Sequence, residues 1–242
     1  MSQVELIAIM PVYNEGAGIV GVVTEWLQAL SREQISHRVI AINDGSTDAS
    51  LSILNDLQSR NPERLLVLSK ENSGHGRACR LGYERALEQG APWILQIDSD
   101  GQCDPSFLSQ FLAKRIHADC IFGVRVTRGD GQLRRVVSKI CRLLVAIVTA
   151  QHLKDPNVPY RLIERTALEK ALQLVPKEFD LQNIALTVAL ARNPTLRWAY
   201  VPIRFRAPEH SQKRMGLSKI VRMGYRMLTG IHKIRAAELG DN

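Results

Sequence analysis

The stretch Trp93-Ile-Leu-Gln-Ile-Asp-Ser-Asp-Gly-Gln-Cys-Asp-Pro105 decides how the chain is read. Residues 93–97 form a short apolar run that reads as a buried strand, and the run ends in an acidic pair. In extended backbone Asp98 and Asp100 fall on one face, roughly 7 Å apart, because side chains alternate with period two. Gln102 offers a third oxygen two residues further on. Asp104-Pro105 has the form of a helix N-cap followed by proline at the first helical position. Hard oxygen ligands at the end of a buried strand suit Mg2+ or Mn2+ holding a diphosphate. The plainer alternative is a turn whose aspartates cap a helix.

Working outward, strands and helices alternate. Residues 4–10 read as a first strand and 11–16 as a polar loop. A helix begins near Gly18, with Ile19, Val22, Val23, Trp26, Leu27 and Leu30 at helical spacing. Residues 38–42 form a second strand that exits through Asn43-Asp-Gly-Ser-Thr-Asp48. Ser46 or Thr47 is expected to cap the next helix, whose inner face carries Leu51, Leu54 and Leu57. A third strand spans 65–68. The glycine-bearing loop 70–77 then opens a helix with Ala78, Leu81, Gly82 and Leu87 at helical spacing. Beyond the acidic stretch come a helix over 106–117 and a fifth strand over 120–124.

That order implies right-handed βαβ units and a mostly parallel sheet, an α/β fold flanked by helices. Ligands of such sheets bind outside the carboxyl ends of the strands. Four polar loops meet there, at Tyr13-Asn14-Glu15, Asp44, Gly74-His75-Gly76 and Asp98-Ser99-Asp100. Asp44 can accept a hydrogen bond from a ribose hydroxyl or a base N–H, or it can close an Asx turn on Gly45. Gly74 and Gly76 let backbone approach a ligand. His75 reads as an ordinary loop histidine rather than a base. Neither the GxGxxG dinucleotide fingerprint nor the GxxxxGK[ST] phosphate loop occurs, which argues against NAD chemistry and a P-loop ATPase.

The bulk numbers agree with a globular rather than a disordered chain. The chain has 242 residues, 45% hydrophobic and 23% charged, enough to bury a sizeable core. Four cysteines, at 79, 103, 120 and 141, lack CxxC spacing and suit a reducing compartment. The N-terminus has no signal-peptide pattern, and no apolar run reaches the length of a membrane span. The net charge of +8 is unevenly spread. Residues 1–124 hold 10 Lys+Arg against 15 Asp+Glu, a net of −5, and residues 125–242 hold 22 against 9, a net of +13. The basic half suggests an anionic partner.

Met10-Pro-Val-Tyr-Asn-Glu15, Asn43-Asp-Gly-Ser-Thr-Asp48, Asn72-Ser-Gly-His-Gly-Arg-Ala78 and Asp98-Ser-Asp-Gly-Gln102 closely resemble, in order, the signatures of family 2 glycosyltransferases with the GT-A fold. The resemblance implies a nucleotide-sugar donor, UDP- or GDP-linked. Pro11, Tyr13, Glu15 and Asp44 would surround the nucleoside, and the Asp-x-Asp would hold a divalent metal, Mg2+ or Mn2+, on the diphosphate. Asn43 stands where the family usually has Asp. The chemistry needs such a cation, because the diphosphate gains negative charge as it leaves.

After Gly123-Val-Arg125, the loop 127–131 leads to a long helix over about 133–152. Its first turns carry Arg134, Arg135, Ser138, Lys139 and Arg142. A proline-stiffened loop, 155–161, precedes helices over 164–175 and 181–192. A late strand over 196–206 follows, with Pro202 favouring an edge position or an irregularity. Gly-x-Arg125, the Arg134-Arg-x-x-Ser138 helix, residues 155–161, Val201-Pro-Ile203 and Arg214-Met-Gly-Leu-Ser-Lys219 resemble polyprenyl-phosphate sugar transferases of the same family, such as dolichol-phosphate mannose synthases. Gln102 extends the metal motif as in that subgroup. Carried over, Asp98, Asp100 and Gln102 hold the metal, and Asp98 and Asp100 carry the catalytic charge. Arg125, Arg134 and Ser138 face the acceptor phosphate, Arg161 lines the same site, and the family's late arginine falls on Lys213 or Arg214.

The sequence thus divides into a glycosyltransferase domain over 1–210, with a nucleotide-sugar half to 124 and an acceptor half beyond, and a basic amphipathic helix over 211–242. In that helix Leu217, Ile220, Val221, Gly224, Leu228 and Ile231 share one face, and Lys219, Arg222, Arg226 and Lys233 the other. It fits either an anionic membrane surface or packing on its own domain. The expected activity is inverting transfer to a polyprenyl phosphate by a cytoplasmic enzyme at the inner membrane face. The runner-up acceptor is a sugar hydroxyl in a polysaccharide or glycolipid. That chemistry needs a general base, for which Asp155 and Asp180 are the candidates. A basic nucleic-acid module is disfavoured by 5% aromatics and by an acidic half that holds the best motif.

Overall fold

The computed structural model describes residues 4–127, 151, 153–177 and 182–206. Seven strands occur in this span: β1 (Leu6–Val12), β2 (His37–Asp44), β3 (Leu65–Lys70), β4 (Trp93–Gln96), β5 (Cys120–Thr127), β6 (Arg161–Glu164) and β7 (Trp198–Arg204). They form one sheet in the order β3-β2-β1-β4-β6-β5-β7. β1 pairs in parallel with β2 and β4, and β2 with β3. β6 is antiparallel to both β4 and β5, while β5 and β7 are parallel. Among the described residues the α-helices are α1 (Gly18–Arg32), α2 (Ser50–Arg60), α3 (His75–Glu88), α4 (Leu108–Ala113), α5 (Arg165–Leu174) and α6 (Gln182–Ala191).

β1 is buried at all seven positions, as a central parallel strand covered on both faces must be. α1 buries the six residues that the spacing singles out, Ile19 to Leu30. α3 lies so close to the sheet that a Cβ on Gly82 would sit 2.7 Å from Ile42 Cδ1 and 3.0 Å from Ile9 Cβ. α6 is buried along its whole length and packs beside α3 and α5. An aromatic cluster ties the second half to the first. Tyr160 stacks on Phe111 at 4.2 Å and meets Trp26 edge-on at 5.5 Å.

Four local features differ from the sequence reading. β1 runs on through Pro11 and Val12; proline is accommodated near the strand's end, where its missing N–H matters less. α2 starts at Ser50, because the Asp48 carboxylate accepts from the Ser50 N–H at 2.9 Å and Ser46 and Thr47 are spent on another loop. The helix over 106–117 is broken into 3-10 turns on either side of α4, although Asp104 does cap its start through the Ser106 N–H. β6 was read as loop and helix. β7 does lie at the sheet edge. The long helix over 133–152 and the basic helix over 211–242 fall outside the described residues.

Candidate active site

Because β6 is antiparallel to β4 and β5, its amino end lies at the edge where β1, β2, β3, β4, β5 and β7 have their carboxyl ends. Arg161 is level with Gln96 on one side and Phe122 on the other. The loop 155–160 therefore enters beside the exits of β4 and β5. The four polar loops of the first half and the loop 155–160 gather along one edge.

The first three loops are stitched together. The Asn14 N–H donates to Ser46 Oγ at 3.1 Å, and Asn14 Oδ1 accepts from the Thr47 N–H at 2.8 Å. The Gly16 N–H donates to Asp48 Oδ2 at 2.9 Å. Gly45, at φ +66°, has Asn72 pressed against it; an added Cβ would lie 2.5 Å from the Asn72 nitrogen. Asp44 is buried, and its carboxylate accepts from the Ser73 N–H at 3.0 Å, from the Gly74 N–H at 2.8 Å and from Lys70. Burial pushes the Asp44 carboxyl up, but Lys70 and these two amides hold it below the usual carboxylate range. The acid expected to meet a nucleoside thus also fixes the turn that carries Gly74, at φ +98°, into α3.

An open cleft of about 380 Å3 lies over these loops, with Pro11, Tyr13, Glu15, Asp44, Gly74, His75, Asp98 and Asp100 among its lining. Seven of them were singled out from the sequence as donor or metal residues. His75 was not: it was read as an ordinary loop histidine. Its Nε2 lies 3.8 Å from Asp98 Oδ1 and 3.4 Å from Cys79 Sγ. Cys79 and the Asp98 and Asp100 carboxylates outweigh its burial and push it up to about 10. Ser99, also on the cleft, donates to Glu15 Oε1 at 2.8 Å and so ties the acidic loop to the first. Gly76 is buried in the first turn of α3 and Gln102 lies beside the cleft rather than on its lining.

The two aspartates suit a cation. Asp98 Oδ1 is buried and has no hydrogen-bond partner among the described residues. Asp100 Oδ1 accepts from the Gln102 N–H at 3.1 Å across the turn made by Gly101, at φ +74°. Burial first, then the Asp98 and Glu15 charges, push Asp100 up to about 6. Crowded, desolvated carboxylates of this kind are stabilised by a hard divalent ion. Among the described residues no three His, Cys, Asp or Glu side chains form a ready-made cage. Mg2+ typically takes one or two carboxylates and completes its shell with phosphate and water.

On the acceptor side one expectation changes, at Arg161, and two residues prove to be joined, Arg125 and Asp155. Arg161 is fully buried, and its guanidinium donates to the carbonyls of Val158 and Asn183 and to Thr187 Oγ1, with its carbon 4.6 Å above the Phe122 ring. It organises the core between β6 and α6 and does not reach a surface where a phosphate could meet it. Arg125 and Asp155, read as phosphate ligand and alternative base, pair with each other. Arg125 Nε and Nη2 each lie 2.8 Å from an Asp155 oxygen, and the pair is largely buried. Arg125 also sits at a register shift in the β5–β7 pairing, with Phe205 5.4 Å from its guanidinium carbon. Arg134, Ser138, Asp180, Lys213 and Arg214 lie outside the described residues.

A buried polar layer also joins β4 to α3 and α6, without a signal in the sequence. Gln96, fully buried on β4, accepts from Tyr83 and donates to Asn183 Oδ1 at 2.9 Å. Among the described residues no helix is long and apolar enough to cross a membrane.

Residues 7–172 match the family described as glycosyl transferase family 2. The undecaprenyl-phosphate 4-deoxy-4-formamido-L-arabinose transferase of Edwardsiella ictaluri is 22% identical over 223 residues, covering 91% of this chain and 66% of the relative. The same-named protein of Aeromonas hydrophila is 23% identical with the same coverage. The chain thus spans just under two thirds of the length of these relatives. Among solved structures, mannosyl-3-phosphoglycerate synthase from Rubrobacter xylanophilus superposes with a TM-score of 0.66 at 15% identity, over 99% of this chain and 76% of that one. Glucosyl-3-phosphoglycerate synthase from Mycobacterium tuberculosis, with Mn2+, UDP-glucose and phosphoglyceric acid, gives 0.61 at 18% identity, over 97% and 79%. These likenesses establish the GT-A type of α/β fold.

Proposed function

The chain belongs to glycosyltransferase family 2, and from that premise we propose that it moves a sugar from a nucleotide donor to a polyprenyl phosphate, with inversion. The observation that carries this is the pairing of Asp98 and Asp100, one with a buried oxygen that takes no hydrogen bond among the described residues, on the cleft shared with Tyr13, Glu15, Asp44 and Gly74. The names of the undecaprenyl-phosphate relatives support the acceptor.

The cleft's own residues divide the work. Tyr13, half-exposed on the rim, offers a ring face to the nucleoside. Glu15 and Asp44 hold the surrounding loops in place. Asp98 and Asp100, with Gln102 as third ligand, would hold a divalent metal, Mg2+ or Mn2+. Bound there, it would neutralise the charge that builds on the departing diphosphate. An acceptor phosphate oxygen attacks the anomeric carbon from the face opposite the nucleotide. The new C–O bond forms as the bond to the diphosphate breaks, and the nucleoside diphosphate leaves. A phosphate is already an anion, so no strong protein base is needed. Arg125, held by Asp155, orients that anion. The net charge of +13 over residues 125–242 favours an anionic acceptor and a peripheral position on an anionic membrane face.

The test is a thermal-shift panel of UDP- and GDP-sugars with and without Mn2+, followed by transfer assays on a short-chain prenyl phosphate and on free glycans. The expected result is Mn2+-dependent stabilisation by one nucleotide and product on the prenyl phosphate only. Transfer to a sugar hydroxyl with none to prenyl phosphate would overturn the acceptor, and a donor response indifferent to Mg2+ and Mn2+ would overturn the metal.

A further inference from the structure

Arg206 lies two residues beyond the end of β7, at the same sheet edge as the cleft loops. Its contacts converge on the far end of the acidic loop. The backbone N–H donates to the Gln102 carbonyl at 3.1 Å. The guanidinium donates to Asp104 Oδ1 at 2.9 Å, and it grips both Glu25 oxygens on α1 at 2.7 and 2.8 Å. Asp104 Oδ1 in turn accepts from the Ser106 N–H at 2.9 Å, which fixes where the loop ends.

The rest of the loop is anchored at its near side. Residue 97 continues the β4 pairing through an N–H donated to Ile9 at 3.1 Å, and Ser99 is tied to Glu15. The middle is a glycine turn closed by Asp100 and Gln102. Between Gln102 and Asp104 only Cys103 is driven into the core. Without Arg206, the carbonyl side of Gln102 and the carboxylate of Asp104 have no described tie to the second half of the sheet. Two carboxylates, Glu25 and Asp104, therefore depend on one planar cation, whose fork geometry lysine cannot copy, while the backbone N–H of the same residue holds the Gln102 carbonyl.

We propose that Arg206 is a positioning residue for cation binding: its guanidinium clasps Asp104 to Glu25 on α1 and so fixes the backbone N–H that holds the Gln102 carbonyl, which keeps Asp98, Asp100 and Gln102 in one arrangement. The inference rests on those three residues holding the metal. Arg206 is exposed, and exposed ion pairs contribute little to global stability. Its effect is local, like that of the outer groups that orient metal ligands elsewhere.

The experiment measures Mn2+ binding to the full chain by electron paramagnetic resonance, with UDP and with GDP, beside the melting temperature. Arg206→Ala should weaken Mn2+ binding on the order of tenfold, the usual effect of losing an orienting group. Nucleotide binding without metal should stay within about twofold by the same reasoning, since Arg206 touches no cleft residue other than through the loop. Arg206→Lys should recover only part of the affinity. Asp104→Asn, which keeps the cap, should share the defect, whereas Glu25→Gln should show less of it. Unchanged Mn2+ affinity in Arg206→Ala, with or without a lower melting temperature, would leave Arg206 a mere strut and sink the proposal. If the parent chain binds no Mn2+ with either nucleotide, the metal reading fails first, and the role of Arg206 falls with it.

Discussion

Replacing Asp155 by Asn separates a base from a support. Asp155 is 4% exposed in its side chain and takes two charge-assisted bonds from Arg125, each 2.8 Å long. Asn keeps one acceptor and turns an NH2 group towards a guanidinium donor. Breaking one partner of a buried pair costs about 3–5 kcal/mol, and the surviving acceptor reduces this to roughly 2–3 kcal/mol. In a chain of this size that lowers Tm by about 4–12 °C. The kinetic outcome divides the two roles. If Asp155 only holds Arg125, the KM for the phosphate acceptor rises about tenfold, as expected for a misplaced charge-assisted contact of 1.4 kcal/mol, and kcat falls by a small factor. A general base contributes about 100- to 10,000-fold to turnover. The assay is steady-state transfer with the acceptor varied at saturating donor, beside a melting curve. A fall in kcat beyond about 100-fold at unchanged acceptor KM would refute the support role, because only a proton acceptor gives that pattern. Arg125→Lys provides the control: it keeps the charge, loses the fork, and should raise the same KM.

Other outcomes follow from single contacts. Gly82→Ala should destabilise the fold by about 1–3 kcal/mol despite alanine's better helix propensity, because the added carbon meets Ile42 and Ile9; urea unfolding reads this. Tyr160→Phe should be neutral or stabilising by up to about 1 kcal/mol in the same assay, since its buried hydroxyl has no partner among the described residues. His37 is held below its ordinary pKa, chiefly by burial, so the unfolded chain binds its proton more readily. Its share of stability is therefore present above about pH 6.5 and is lost as the pH falls through the depressed folded value; unfolding midpoints at stepped pH, with His37→Asn as reference, measure it.

Much of the first half of the sheet and of the cleft lining was legible because its signals are local. An all-apolar run such as Leu6–Val12, a helical stripe such as Ile19 to Leu30, and acids beside glycines each declare their role within a dozen residues. β6 was not legible. Its four residues run straight into α5, with Glu164 serving as both last strand residue and N-cap, so no turn residue marks the boundary. Only pairing with β4 and β5 makes it a strand. The fate of Arg161 follows from the same cause, since the strand carries its side chain inward onto Phe122. His75 was passed over because its meaning comes from Asp98, more than twenty positions away in the chain. The Arg125–Asp155 pair likewise joins residues that sequence reasoning had given separate tasks.

β6 has one more effect. Because it is antiparallel to both neighbours, β4 and β5 point the same way with a single strand between them. Two interstrand steps separate them, about 9.6 Å. The backbone thus acts as a ruler laid between the carboxylates after β4 and the guanidinium near the end of β5. Its graduations are peptide hydrogen bonds, which loop substitutions do not stretch. In the reaction proposed above, changing the loops alters which sugar or anion is gripped, while the gauge between the two substrates is set by the weave of the sheet.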